Sequence, residues 1–306
     1  MKPNPSLFTE LRLATPPIEA FANTLRQWFG AAIIGGLIYG PSRAGKSNAI
    51  EYVTQRRVDI FGYDIPIITI EWKEMSINEK DFHVRFLVAC GHSVSSDRTS
   101  NRLIENRLIE YLATTVARSG GSSLIIFIDD AQDMRLKDLG FLANVYNLLK
   151  KRKIQQYTFL VGEEILPDLR AKAKAARCNR YIGRFMCADF EFPLIKSERD
   201  LAFVFHQYDI CGYLKENNIS IIQTLVPKAF TNGWRLEKQA GAIWKGFKLG
   251  ARSIGKKGTR MTMQSCTIVV AQLLQSLARR DTADLCLSEK DIQSATSMVQ
   301  HLHTAE

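Results

Sequence analysis

Residues 36–47 read Gly36-Leu37-Ile38-Tyr39-Gly40-Pro41-Ser42-Arg43-Ala44-Gly45-Lys46-Ser47, a short apolar run that opens into a glycine-bounded loop with a lysine and a serine at its exit. The apolar run predicts a strand, and the residues from Lys46 to Arg56 predict a helix. The loop spacing, Gly40, four residues, then Gly45-Lys46-Ser47, is that of a phosphate-binding P-loop. Its glycines let the backbone turn N–H groups inward onto phosphate oxygens, and the following helix aims its positive end at the same place. Gly40, Pro41, Ser42, Arg43, Ala44, Gly45, Lys46, Ser47 and Asn48 are therefore expected to wrap the phosphates of ATP. Lys46 would reach the β and γ phosphates, and the Ser47 hydroxyl would ligate Mg²⁺.

A second stretch completes this reading. Leu124–Asp130 (LIIFIDD) is an apolar strand that carries two carboxylates out at its carboxyl end, where open α/β sheets bind ligands. Asp129 is expected to hold Mg²⁺ through water. Asp130 follows where a carboxylate can activate the attacking water, or it caps the next helix; capping is the expectation for Asp133. A further strand, Pro66–Trp72, lies between the two motifs in the chain. This implies an extra strand inserted between the P-loop strand and the Asp129 strand.

Working outward, helical spacing marks Ile18–Phe29, Asn101–Arg118 and Leu136–Leu149, and strand composition marks Tyr157–Val161 and Phe190–Leu194. Alternating strands and helices imply a parallel sheet flanked by helices. Beyond about residue 196 the pattern turns helical, over Glu198–Cys211, Ile219–Leu225, Arg235–Ala251, Met263–Ala278 and Ser288–His301. The last begins with Ser288 and Asp291 in capping-box spacing. Three regions are expected: an N-terminal extension and helix over 1–30, an α/β nucleotide-binding domain over 31–195, and a small all-helical lid over 196–306.

The whole chain has 306 residues, 46% of them apolar, with 41 Lys and Arg against 31 Asp and Glu for a formal charge of +10. An excess of this size favours a polyanionic partner. Residues 145–184 hold ten cations against three acids, and residues 235–260 hold eight against one. Such clusters neutralise phosphates without reading sequence, although Lys150–Lys153 also ends a helix, where cations favour the dipole. No apolar run approaches the roughly 20 residues a membrane span needs. The six cysteines show no CxxC spacing, so zinc is not expected, and reduced thiols in the cytoplasm are.

The order of these parts resembles the AAA+ ATPases: P-loop, LIIFIDDAQ, TFLVGEE, an arginine-rich segment ending NRYIGRF, then a helical lid with NGWRLEKQAG. Within them it is similar to the TnsC/TniB transposition regulators. The resemblance implies an AAA+ P-loop domain with an additional strand and a helical lid. It places Glu163 at a sensor-1 position, Arg184 at the trans-acting arginine finger and Arg235 at a sensor-2-like position facing the nucleotide. Two residues depart from the family pattern: Asp130 stands for a glutamate, and Glu163 for a neutral polar residue. Both are consistent with slow or partner-dependent hydrolysis.

The same resemblance implies a homo-oligomer, ring or helical filament, around double-stranded DNA, with a transposase and a TniQ-like target selector as partners. DNA contacts would come from Lys73, Arg98, Thr99 and Arg102, before and at a helix start, with Lys150 and Lys151 as a further candidate pair. Capping by Ser100 or Asn101 is the rival reading of that helix start.

Overall fold

The computed structural model describes residues 13–73, 78–92, 100–210, 219–253 and 260–300. Arg98 and Thr99 lie outside the described residues, as does the basic loop at 254–259. The chain divides into two compact units. One comprises Phe21–Ser42 with Lys46–Phe192. The other comprises Pro193–Glu306 with Met1–Ala20 and Arg43–Gly45.

The first unit is an α/β layer structure. Its strands are β1 (Gly35–Tyr39), β2 (Ile67–Glu71), β3 (Ser123–Asp129), β4 (Gln155–Gly162) and β5 (Ala188–Glu191). All pair in parallel, in the order β2-β3-β4-β1-β5. β3 and β4 are buried along almost their whole length, β3 as an apolar run and β4 with Gln156 donating to Thr158 inside it. The helices of this part of the chain are α1 (Pro16–Gly30), α2 (Lys46–Gln55), α3 (Arg57–Phe61), α4 (Glu79–Ala89), α5 (Asn101–Arg118), α6 (Leu136–Lys151), α7 (Pro167–Ala175) and α8 (Asn179–Phe185).

The sheet corrects one expectation. The strand between β1 and β3 is β4, not β2, which lies at the edge beyond β3. Chain order does not fix strand order, because parallel neighbours are joined by crossovers. β5 also starts and ends earlier than its composition predicts. Its partner β1 offers the register Gly36↔Ala188 to Tyr39↔Glu191, and Pro193 has no N–H to extend the ladder.

Two glycines set how closely helices approach β1. A Cβ on Gly36 would lie 2.5 Å from the Trp28 ring of α1. A Cβ on Gly35 would lie 2.1 Å from the Arg184 carbonyl oxygen, so the backbone of α8 rests against the first residue of β1.

The second unit contains α9 (Glu198–Ile210), α10 (Ile221–Leu225), α11 (Pro227–Thr231), α12 (Ala240–Ser253), α13 (Met263–Ala278) and α14 (Glu289–Gln300). Val204, Phe205, Tyr208, Ile243, Val270 and Leu273 are among its core residues. α12 starts five residues after Arg235, later than its periodicity predicts. The buried Asp209 carboxylate accepts from the backbone N–H groups of Leu236 (3.0 Å) and Glu237 (2.9 Å), which holds Glu237–Gln239 in a 3₁₀ turn. At α14 the expected capping box is present. Asp291 Oδ2 accepts from Ser288 N (2.9 Å), and Ser288 Oγ accepts from Asp291 N (3.3 Å). Among the described residues no helix is long and apolar enough to cross a membrane.

Candidate nucleotide site

Because the strands are parallel, their carboxyl ends lie on one side of the sheet. Tyr39 pairs with Gly162, and Glu71 with Asp129. The segments that follow β1, β3 and β4 therefore emerge together, and they carry Gly40, Asp129 with Asp130, and Glu163. Two loop residues, Arg43 (φ 62°) and Gly45 (φ 102°), adopt left-handed backbone, which Gly45 tolerates at no steric cost.

Lys46 is buried at the start of α2, and its ammonium donates to the carbonyl oxygens of Gly40 (2.8 Å) and Pro41 (2.7 Å). Burial lowers its pKa; Glu163, Asp129 and Asp130 oppose that shift, Glu163 most strongly. Ser47 Oγ donates to Asp129 Oδ2 at 2.6 Å, and Asp130 N donates to Asp129 Oδ1 at 3.1 Å. Burial raises the Asp129 pKa, against the Ser47 hydrogen bond, which lowers it. The site thus holds a buried cation beside a carboxylate whose charge is costly without a positive partner. A hydroxyl and a carboxylate form an all-oxygen pair of the kind Mg²⁺ takes.

Asp130 is exposed and lies in left-handed backbone (φ 56°), with no side-chain capping bond to the following 3₁₀ turn. The capping alternative is therefore not what its carboxylate does. Gln132 was missed by sequence reasoning. Its Oε1 accepts from Glu163 N (3.1 Å), and a Cβ on Gly162 would come within 2.5 Å of it. Gln132 ties the end of β4 to the end of β3 and sets where Glu163 begins. The signal was there in IDDAQ, a polar residue three positions past Asp129.

Within the sheet unit, Arg184 stands apart from these groups. Arg184 is half-buried, with its guanidinium 5.1 Å from the centre of the Tyr146 ring. It sits at the amino end of β1, a strand of about 17 Å at the usual rise, away from Lys46. Arg235, in the helical unit, donates to the carbonyl oxygens of Phe230 (2.8 Å) and Trp234 (2.7 Å) and stacks 3.8 Å over the Phe230 ring. Its guanidinium is engaged locally.

The candidate DNA residues fall at two ends of the sheet. Lys73 follows β2, paired with Glu71 at 3.6 Å, and Arg102 opens α5, which Ser100 caps by accepting from Leu103 N (3.4 Å). The exposed Lys150 and Lys151 close α6 just before β4 begins, at the opposite end. Their neighbour Arg152 is paired with Glu110.

Comparison with known proteins fits this geometry. The family model described as AAA domain matches residues 35–169, a span containing Lys46, Asp129, Asp130 and Glu163 but not Arg184 or Arg235. No curated protein matches the sequence. Among solved structures, the Aeropyrum pernix ORC2 protein in its ADPNP–ADP complexes is 12% identical at a TM-score of 0.63, covering 96% of this chain and 71% of that one. Its ADP form is 14% identical at 0.61, covering 98% and 74%. Residues 35–169 thus match an AAA domain model, within an α/β P-loop fold like that of the ORC2 protein and followed by a helical C-terminal region.

Proposed function

We propose that this protein is an ATP-dependent, sequence-nonspecific DNA-binding AAA+ switch that works as an oligomer. The observation that carries the proposal is the separation of Arg184 from Lys46 by the length of β1. An arginine finger stabilises charge on a γ-phosphate, and from the amino end of the sheet Arg184 can reach only a neighbour's. Lys46 and the P-loop amides would hold ATP, with Ser47 and Asp129 on Mg²⁺ and Asp130 orienting the attacking water. Glu163 brings negative charge toward the γ-phosphate, and Asp130 is short for its task, so turnover is slow until a partner engages. Within this reading, the resemblance to TnsC/TniB proteins supports a regulator of transposition that recruits or activates a transposase and a target selector.

The test is duplex-DNA binding and oligomer size measured with ATP, ADP and a non-hydrolysable analogue. Assembly on DNA with ATP and the analogue, and its loss with ADP, is expected. Binding and size indifferent to the nucleotide would overturn the proposal. The likeness of fold to ORC2 makes a replication-initiator role the second reading, and a footprint confined to one sequence would favour it. In the helical unit α13 and α14 contribute Val269, Leu273, Ala295 and Val299 to the common core.

A further inference from the structure

His83 is fully buried on α4, and its Nε2 has no hydrogen-bond partner. The surrounding bonds define its protonation. Asn101 Nδ2 donates to Glu79 Oε2 at 3.1 Å. That carboxylate can only accept, so the amide orientation is fixed and Asn101 Oδ1 must face the ring. Oδ1 lies 3.0 Å from His83 Nδ1. An amide oxygen can only accept as well, so Nδ1 carries the proton. Neutral imidazole then leaves a bare lone pair on Nε2.

That lone pair faces more acceptors. Glu105 Oε1, on the neighbouring helix α5, is 3.9 Å from Nε2, too far for a hydrogen bond even were the ring doubly protonated. Glu79 is one helical turn before His83 on α4. One ligand atom from each of Glu79, His83 and Glu105 lies within 4.8 Å of the others. Three potential metal ligands thus lie together, and one of them is the unpartnered nitrogen of a buried ring. Leaving such a group without a partner costs about 1–3 kcal/mol.

We propose that Glu79, His83 and Glu105 bind a divalent transition metal of the zinc class, separate from the Mg²⁺ expected at the P-loop. A cation between the three satisfies all of them at once. The imidazole nitrogen selects zinc-class ions over Mg²⁺ and Ca²⁺, which prefer all-oxygen shells. The outer groups are those of a metal site. The Nδ1–H of His83 is held by an amide oxygen, and Glu105 Oε1 accepts from Asn144 Nδ2 at 2.5 Å. Tetrahedral zinc places its donors about 3.4 Å apart, so the His83–Glu105 pair closes by roughly half an ångström. Glu79 is half-exposed; while its Oε2 holds Asn101, its other carboxylate oxygen is the one offered to the metal, and a fourth position is left to water. The metal pins the start of α4 to the first turns of α5.

The test uses the full chain saturated with Mg²⁺ and ADP, so that the P-loop is occupied. Zinc is titrated against a chromophoric chelator, and cobalt(II) uptake is followed by its absorption. One equivalent is expected, with the visible bands of a nitrogen–oxygen site and no thiolate charge-transfer band. His83→Gln and Glu105→Gln are each expected to weaken uptake at least about tenfold, with Cys90→Ala unchanged. Zinc should raise the melting temperature of the wild type but not of Glu105→Gln, which keeps the shape of the site and decides the matter should His83→Gln fail to fold. Absence of uptake, a thiolate band, or equal uptake by Glu105→Gln would overturn the proposal.

Discussion

At its carboxyl end the sheet gathers Asp129, Asp130 and Glu163 about the buried Lys46; at its amino end it presents Arg184 with the exposed Lys150 and Lys151. The first end is acidic and rich in internal hydrogen bonds. The second is basic, and its arginine is held by an aromatic ring and not by a carboxylate. Neither end is a complete catalytic site. Charges so divided along one strand direction suit head-to-tail association, in which the basic end of one protomer meets the acidic end of the next, closing a ring or extending a filament.

Removing the basic end's contribution is expected to have the largest effect. Arg184→Ala should lower ATP turnover by on the order of 10³-fold, with nucleotide affinity little changed, since a trans finger acts on the transition state. Mixing it with Lys46→Ala subunits should restore part of the turnover, because each variant supplies what the other lacks. Steady-state hydrolysis across mixing ratios checks this; turnover of Arg184→Ala equal to wild type would break the division between the two ends. Lys46→Ala alone attacks the acidic end. It leaves Asp129, Asp130 and Glu163 without their cation, and nucleotide affinity should fall by at least about 30-fold, roughly 2 kcal/mol. Equilibrium binding of a fluorescent ATP analogue measures it, and a normal affinity would contradict the P-loop reading.

A smaller effect lies in the helical unit. Asp291 is largely buried. Burial alone would raise its pKa, but hydrogen bonds from Arg280 and Ser288 outweigh that and hold it at about 2. A carboxyl held below its unfolded value adds stability that is present above the unfolded pKa and lost as pH falls through the folded one. The window is therefore about pH 4 to 2. Asp291→Ala should cost about 1–2 kcal/mol at neutral pH through the lost cap, and much less at pH 2. Thermal melts at the two pH values check the sign.

What the sequence revealed follows from which signals are local. β1, β3 and the second half of β4 were legible because buried parallel strands are rich in apolar residues, and the P-loop and Asp129 because their spacing is fixed by phosphate and metal chemistry. The position of β4 between β1 and β3 was not legible, since crossovers leave no trace in local composition. α7 and α8 went unread because Pro167–Ala175 buries only Leu169 and Ala173 and Asn179–Phe185 carries a glycine within it. The left-handed turn at Asp130 and the Gln132 tie depend on β3 and β4 lying side by side. Glu79 and His83 stand one helical turn apart on α4, but Glu105 joins them only because α4 and α5 pack together.

The smallest expected effect separates the two ends as DNA surfaces. Lys73 and Arg102 share the carboxyl end, and Lys150 and Lys151 the amino end. If head-to-tail contacts join the amino end of one protomer to the Asp129–Glu163 part of the next one's carboxyl end, Lys150 and Lys151 face a neighbour and not phosphate, while Lys73, after the edge strand β2, and Arg102 stay outside the contact. Lys73→Ala with Arg102→Ala should then weaken DNA binding several-fold and flatten the dependence of log affinity on log salt by about two. The Lys73 share is the lesser, because Glu71 already partners it through an exposed pair of little strength. Lys150→Ala with Lys151→Ala should leave the salt slope intact and instead raise the protein concentration needed for assembly. Titrations at several salt concentrations, paired with sedimentation, discriminate the two. A slope that flattens for the amino-end pair would place DNA there, and the neighbour's basic contact would then have to come from Arg184 alone.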